Sequence, residues 1–79
     1  MAKYIIVSSE SGLPCAIVFN EALTHKGVAG NMKVLSAGFC KISKENSPMI
    51  SVETFGHSES LNLSSNLGDR IYIELALNH

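Results

Sequence analysis

Tyr4-Ile5-Ile6-Val7 sets four apolar side chains in unbroken succession, three of them β-branched. Consecutive side chains of an extended chain point to opposite faces, so a strand that is apolar at every position has to be covered on both. That demand is severe in a chain of 79 residues. Either half alone would be too small to bury a core without metals or disulfides, so residues 1–79 are expected to form a single domain around one core.

The following residues supply partners for that strand. Ser9-Glu10-Ser11-Gly12-Leu13 carries turn chemistry, and Pro14, which has no N–H for a ladder, suits the first position of the apolar run that continues from Cys15 to Phe19. The two runs read as an antiparallel hairpin around a loop of about five residues. Asn20 to Leu23 reads as one turn. Thr24 then caps a short helix from His25 to Ala29, which Gly30 and Asn31 end. Because it contains Gly27, this helix depends on docking Leu23 and Val28 rather than on intrinsic propensity. Lys33 to Ser43 is the longest strand, and Gly38 inside it marks a bulge or the close approach of another backbone. After a polar loop, Lys44 to Pro48, the alternation from Met49 to Phe55 completes a second hairpin.

Gly56 to Ser60 reads as a polar connection, and Leu61 and Leu63 pin the next segment to the core. The last segment carries two periods. Ile71, Ile73, Leu75 and Leu77 alternate as in a strand, whereas Ser65 as a cap, Asp69 in the first turn and a stripe of Tyr72, Ile73, Ala76 and Leu77 describe a helix. The helix is the reading adopted. The expected fold class is therefore α+β: a small antiparallel sheet of about four strands in two hairpins, a short helix between them, and a C-terminal helix. On that last helix Ile71 and Leu75 fall off the buried stripe. Either a second copy covers them in a homo-oligomer, or they pack on the loop around Leu61 and Leu63.

Charge narrows the partners. A formal charge of −1 and a pI of about 6.2 leave no electrostatic footprint for extended nucleic-acid binding, whose affinity comes largely from neutralised phosphates. The basic residues Lys3, Lys26, Lys33, Lys41, Lys44 and Arg70 are scattered, so there is no polybasic arm for a membrane. A small anionic ligand needs fewer charges and remains open. No run approaches the roughly 18 apolar residues of a membrane span, and the first apolar run stops at Ser8, so a cytoplasmic protein is expected. Cys15 and Cys40 lie in apolar runs, where free thiols behave as small buried hydrophobes.

Candidate chemistry is sparse. His57-Ser58-Glu59-Ser60 brings together a base, hydroxyls and a carboxylate, but the nucleophile elbow is lacking because Ser60 stands where its last Gly belongs. A hydrolase-like reading would need His57 within about 3 Å of a Ser hydroxyl. His25, His57 and His79 are too far apart for a His-x-x-x-His or mixed Cys/His zinc pattern, so no metal and no cofactor are expected; His25 reads as a helix-surface or capping residue, and His79 as fraying with the terminus. Two weak anion cradles exist, Gly56 to Ser60 and Ser64 to Gly68 ahead of the last helix, though Glu59 and Asp69 subtract potential from both. The residues expected to meet a ligand or partner are Phe39, Gly56, His57, Ser58, Ser60 and Ser65.

Val34-Leu35-Ser36-Ala37-Gly38-Phe39-Cys40, Gly56-His57-Ser58-Glu59-Ser60-Leu61, and Ser65 with Asp69 together resemble a group of small uncharacterised proteins of phages and prophages. Gly68 departs from that pattern, which has a strong helix former before the Asp. The resemblance implies a phage-encoded, non-enzymatic binding protein that inhibits a host immune factor by covering a protein surface, or that sequesters a nucleotide signal.

Overall fold

The structure, a computed structural model, describes residues 1–44 and 50–78. In chain order the elements are β1 (Ala2–Ser8), β2 (Pro14–Asn20), α1 (His25–Ala29), β3 (Val34–Ser43), β4 (Ser51–Phe55), β5 (His57–Ser58), β6 (Leu63–Ser64) and α2 (Asp69–Leu77). Strands β2-β1-β3-β4, in that order, form one antiparallel sheet, and β5 pairs with β6 in a second, two-stranded one. The fold is α+β, with both expected hairpins and both expected helices. Of the loop Lys44 to Pro48, all but Lys44 lies outside the described residues, as do Met49 and His79.

The strand that carries the unbroken apolar run is central, and Tyr4, Ile5, Ile6 and Val7 are all buried. The sheet divides the expected single core in two. Tyr4 and Ile6 pack with Cys40, Val52 and Ile73 beneath α2. Ile5 and Val7 pack on the opposite face with Ala29 and Ala37, where Leu61 and Leu63 close over them. A bulge in β3 adds Val34 to the second half. Ile6 pairs with Ser36 and Val7 with Val34, so Leu35 is the extra residue; Val34 joins Val7 on one face while Ser36 turns to the other. The bulge is thus not at Gly38. Gly38 is instead the close approach, since a Cβ there would sit 2.7 Å from the Phe55 carbonyl oxygen and 3.1 Å from Ser65 Cβ.

Helix α1 starts and stops as its sequence directs. The Thr24 Oγ1 accepts a hydrogen bond from the Gly27 N–H at 2.9 Å, and Gly30 ends the helix at φ 55°. Leu23 does not dock, being exposed; Val28 and Ala29 pack on the sheet, and His25 goes inward with them.

The C-terminal segment is helical because Asp69, Ile73 and Leu77, four residues apart, all turn to the sheet. Its start differs from expectation: Gly68 is the N-cap with no side-chain bond, while Ser65 donates its N–H to the Gly56 carbonyl at 3.1 Å. The Asp69 carboxylate is buried and accepts from Tyr4 Oη at 2.6 Å, Ser36 Oγ at 2.9 Å and the Asn66 N–H at 2.9 Å. Three donors compensate the cost of placing a carboxylate in the interior. Tyr72 and Ala76 stay exposed, so the buried stripe is narrower than the sequence suggested. Ile71 and Leu75 are 53% and 56% exposed, and Leu61 and Leu63 lie on the other face of the sheet and do not cover them.

Helix α2 also closes one sheet edge. Glu74 Oε2 accepts from the Val52 N–H at 2.8 Å; Asn78 accepts from the Ile50 N–H at 2.8 Å and donates to the Ile50 carbonyl at 3.1 Å. Helix side chains stand where a further strand would pair with β4. Cys40 is buried, but Cys15, at the loop end of β2 and outside both halves of the core, is exposed.

Burial, then the hydrogen bond to Asp69, raises the Tyr4 phenol well above its ordinary value of 10.0, and burial raises the Cys40 thiol above 9.0. Both groups hold their protons more tightly folded than unfolded. Their contribution to stability is present below those ordinary values and is lost as pH rises past them, at a limit of about 1.4 kcal/mol per pH unit per group. Denaturant midpoints are expected to be flat to about pH 9 and to fall beyond it. Tyr4→Phe should flatten the fall while lowering neutral-pH stability by about 1.5–3 kcal/mol, the cost of taking a donor from a buried carboxylate.

Candidate functional site

Strand register builds the floor of the site. Phe19 on β2, Lys3 on β1, Phe39 on β3 and Phe55 on β4 stand opposite one another in a single cross-strand row. The row lies on the α1 face of the sheet, where both covering pieces are short: α1 has 5 residues, and β5 and β6 have 2 each. They leave a hollow of about 490 Å³ between them. Phe39 and Phe55 lie at its base, Thr24 and His25 on one wall, and Gly56, His57, Glu59 and Ser60 on the other.

The aromatic floor is held from several sides. The Phe39 and Phe55 rings are near parallel, 18° apart with centroids at 6.0 Å. His25 stands edge-on to Phe19 at 5.5 Å and to Phe39 at 5.7 Å. Its Nε2 lies 2.8 Å from the Gly38 carbonyl oxygen, an acceptor only, so this nitrogen carries the hydrogen. His25 is therefore buried inside the site rather than on a helix surface: the ring that begins α1 reaches the backbone of β3. Lys3 Nζ donates to the Leu23 carbonyl at 2.8 Å and lies 5.9 Å from the centre of the Phe39 ring, in cation–π range. Gly56 has φ 77°, and a Cβ there would come within 3.0 Å of Phe39 Cδ2.

Of the residues singled out from sequence, Phe39, Gly56, His57 and Ser60 line the hollow. Ser58 is buried beneath the rim, its Oγ 3.3 Å from Ser60 Oγ and accepting from the Leu61 N–H at 3.2 Å. Ser60 Oγ also accepts from the Lys26 N–H at 3.2 Å, tying the β5–β6 segment to the start of α1. The expected polar connection is thus a small structured hairpin, with Asn62 at φ 55° in its turn. Ser65 does not line the hollow; it packs against Gly38 and bonds the backbone of the wall residue Gly56 from behind. The second anion cradle is occupied by the chain itself, since the Asn66 N–H is given to Asp69 Oδ2.

His57 lies 4.0 Å from Glu59 Oε1, with both side chains largely in solvent, where such a pair is screened. Among the described residues no hydrogen bond joins His57 to Ser58 or Ser60, so the contact that a hydrolase-like site requires is not formed. Nor do three or more His, Cys, Asp or Glu residues of the described chain gather as a metal-binding group. No described helix is long and apolar enough to cross a membrane.

Sequence reasoning missed Lys3, His25 and Phe55 as members of the site. Lys3 carried a signal, as the one charged residue within β1; the other two are placed only by register and by the docking of α1. No family model, curated protein or solved structure matches the chain.

Gly56→Ala should destabilise the protein by about 1 kcal/mol or more, because alanine is strained at positive φ and its methyl meets Phe39. Thermal unfolding measures the loss, and Phe39 ring proton shifts report the displaced ring. An unchanged midpoint would show that the wall is not braced in this way.

Proposed function

We propose that the protein works by binding rather than by catalysis, and that its ligand is a small molecule combining a planar ring with a negative charge. One observation carries this reading: an apolar hollow whose floor is the stacked Phe39–Phe55 pair, with the Lys3 ammonium beside it. Its volume of about 490 Å³ falls in the range of small-molecule sites, roughly 300–1,000 Å³. Phe55, 41% exposed, offers a ligand ring an aromatic neighbour, worth about 0.5–1.5 kcal/mol beyond area burial. Lys3 uses one of its three donors on Leu23 and has two left for an anion.

The hydroxyls of Ser58 and Ser60 bond each other and the backbone of Leu61 and Lys26, which supports a role in bracing the wall. A nucleotide is a ligand of the stated chemistry. Sequestering such a signal in the host cytoplasm, or covering the surface of a host immune factor, is the role that the resemblance to small phage proteins suggests. A second copy of the chain is the proposed cover for Ile71 and Leu75.

Ligand-observed NMR with two panels, nucleoside monophosphates and aromatic carboxylates, tests the site. Saturation transfer to the ring protons of at least one panel is expected. Phe55→Ala and Lys3→Met should each raise Kd about tenfold, equivalent to about 1.4 kcal/mol, while Arg70→Ala, on α2 across the sheet from the hollow, leaves it nearly unchanged. Binding that is indifferent to both Phe55 and Lys3, or no binding by either panel, would refute the assignment.

A further inference from the structure

The two edges of the main sheet are finished differently. On β4 the outward N–H of Val52 and both backbone groups of Ile50 are taken by Glu74 and Asn78. On β2, among the described residues, the one backbone group bonded outside the ladder with β1 is the Asn20 carbonyl, which accepts from Leu23. The remainder of that edge presents N–H and C=O groups with no protein partner. Natural edge strands of this kind are usually blunted by a charge, an internal proline or a bulge. β2 has none of these. Cys15-Ala16-Ile17-Val18-Phe19 is uncharged, Pro14 stands at the strand's first position, and the register with β1 runs unbroken from Ala2↔Asn20 to Ser8↔Pro14.

We infer that β2 pairs with β2 of a second copy, antiparallel about a two-fold axis, so that two four-stranded sheets become one of eight strands. Such a contact is isologous: each strand offers the other the groups that it needs itself. Two uncharged strands meet without the repulsion that like charges opposite one another would cause. The edge is long enough, since seven residues at about 3.3 Å each span about 23 Å. Ile17 and Val18, each only half-buried in one copy, pack toward opposite faces, so the joined sheet extends both halves of the core.

Strand pairing alone buries less area than a stable dimer usually needs. The rest comes from α2. This helix packs against β2, and a two-fold perpendicular to the sheet sets both copies of α2 on the same side of the joined sheet. Each turns toward the β2 edge its exposed Tyr72 and Ala76, on the side of the helix opposite Glu74, which reaches β4.

Sedimentation velocity and native mass spectrometry over a concentration series test the assembly, with hydrogen exchange resolving its location. A dimer is expected, in which amides of β2 exchange more slowly than at dilutions where the chain is monomeric. Cys15→Lys, at an exposed edge position, and Ile17→Lys should each raise the dimer Kd about tenfold or more. Circular dichroism separates this from unfolding, and Cys15→Lys decides the matter should Ile17→Lys fail to fold. A strict monomer at every concentration overturns the inference. So does a dimer indifferent to Cys15→Lys, or one whose β2 amides exchange as fast as the monomer's, which would place the interface on α2 alone.

Discussion

Tyr4, Ile5, Ile6 and Val7 fill consecutive positions of the central strand, and none of them reaches solvent to any useful extent. Burying both faces of β1 dictates the layers around it. One face receives α2, whose Ile73 and Leu77 meet Tyr4 and Ile6. The other receives α1 and the β5–β6 hairpin, which meet Ile5 and Val7 through Ala29, Leu61 and Leu63. With so few residues to spend, the two covers are unequal. The single nine-residue helix roofs its side, whereas two short pieces share the other and do not meet above Lys3. The hollow is a consequence of that incomplete roof.

A polar tie keeps the arrangement in register. Asp69 begins α2, and its carboxylate gathers hydrogen bonds from β1 through Tyr4, from β3 through Ser36 and from the preceding turn through Asn66. Hydrophobic packing would tolerate α2 at several rotations and slides. A buried carboxylate that must keep three donors would not, since losing one leaves it poorly solvated in the interior. Ser36 faces Asp69 by regular alternation with Cys40 along β3, and the extra residue at Leu35 instead turns Val34 toward Val7 on the opposite face. From the same helix, Glu74 and Asn78 then reach the outer edge of β4.

On the opposite face the polar contacts are lighter and serve the hollow. His25 bonds the β3 backbone and stands against two phenylalanine rings, while Ser60 supplements Thr24 in satisfying the first turn of α1. Gly38 and Gly56 let backbone and ring approach at the junction where Phe55, Phe39 and Ser65 converge. The floor is thereby braced, with Phe55 its most exposed ring and the Lys3 ammonium beside it.

The sequence by itself determined the larger elements, though not the β5–β6 hairpin, which read as a polar connection. Periodicity, the Thr24 cap, the Gly30 stop and the turn residues around Gly12 are local signals, and each acts within a few residues of where it is written. The helical character of 69–77 was legible in the same way, as was the displacement of Ile71 and Leu75 from the sheet. Tertiary structure decided the rest, because it depends on which distant residues become neighbours. The row Phe19–Lys3–Phe39–Phe55 exists only once three strand registers are set. Asp69 could be read as a favourable charge in a first turn, but not as the partner of Tyr4, 65 residues away. His25 looked like a surface residue until α1 was laid on the sheet, and Ser65 looked like a cap until Asp69 took the Asn66 N–H that a ligand at that turn would have needed. Local propensity chooses helix or strand; closing the chain on itself decides which side chains share a cavity and which sheet edge is left open.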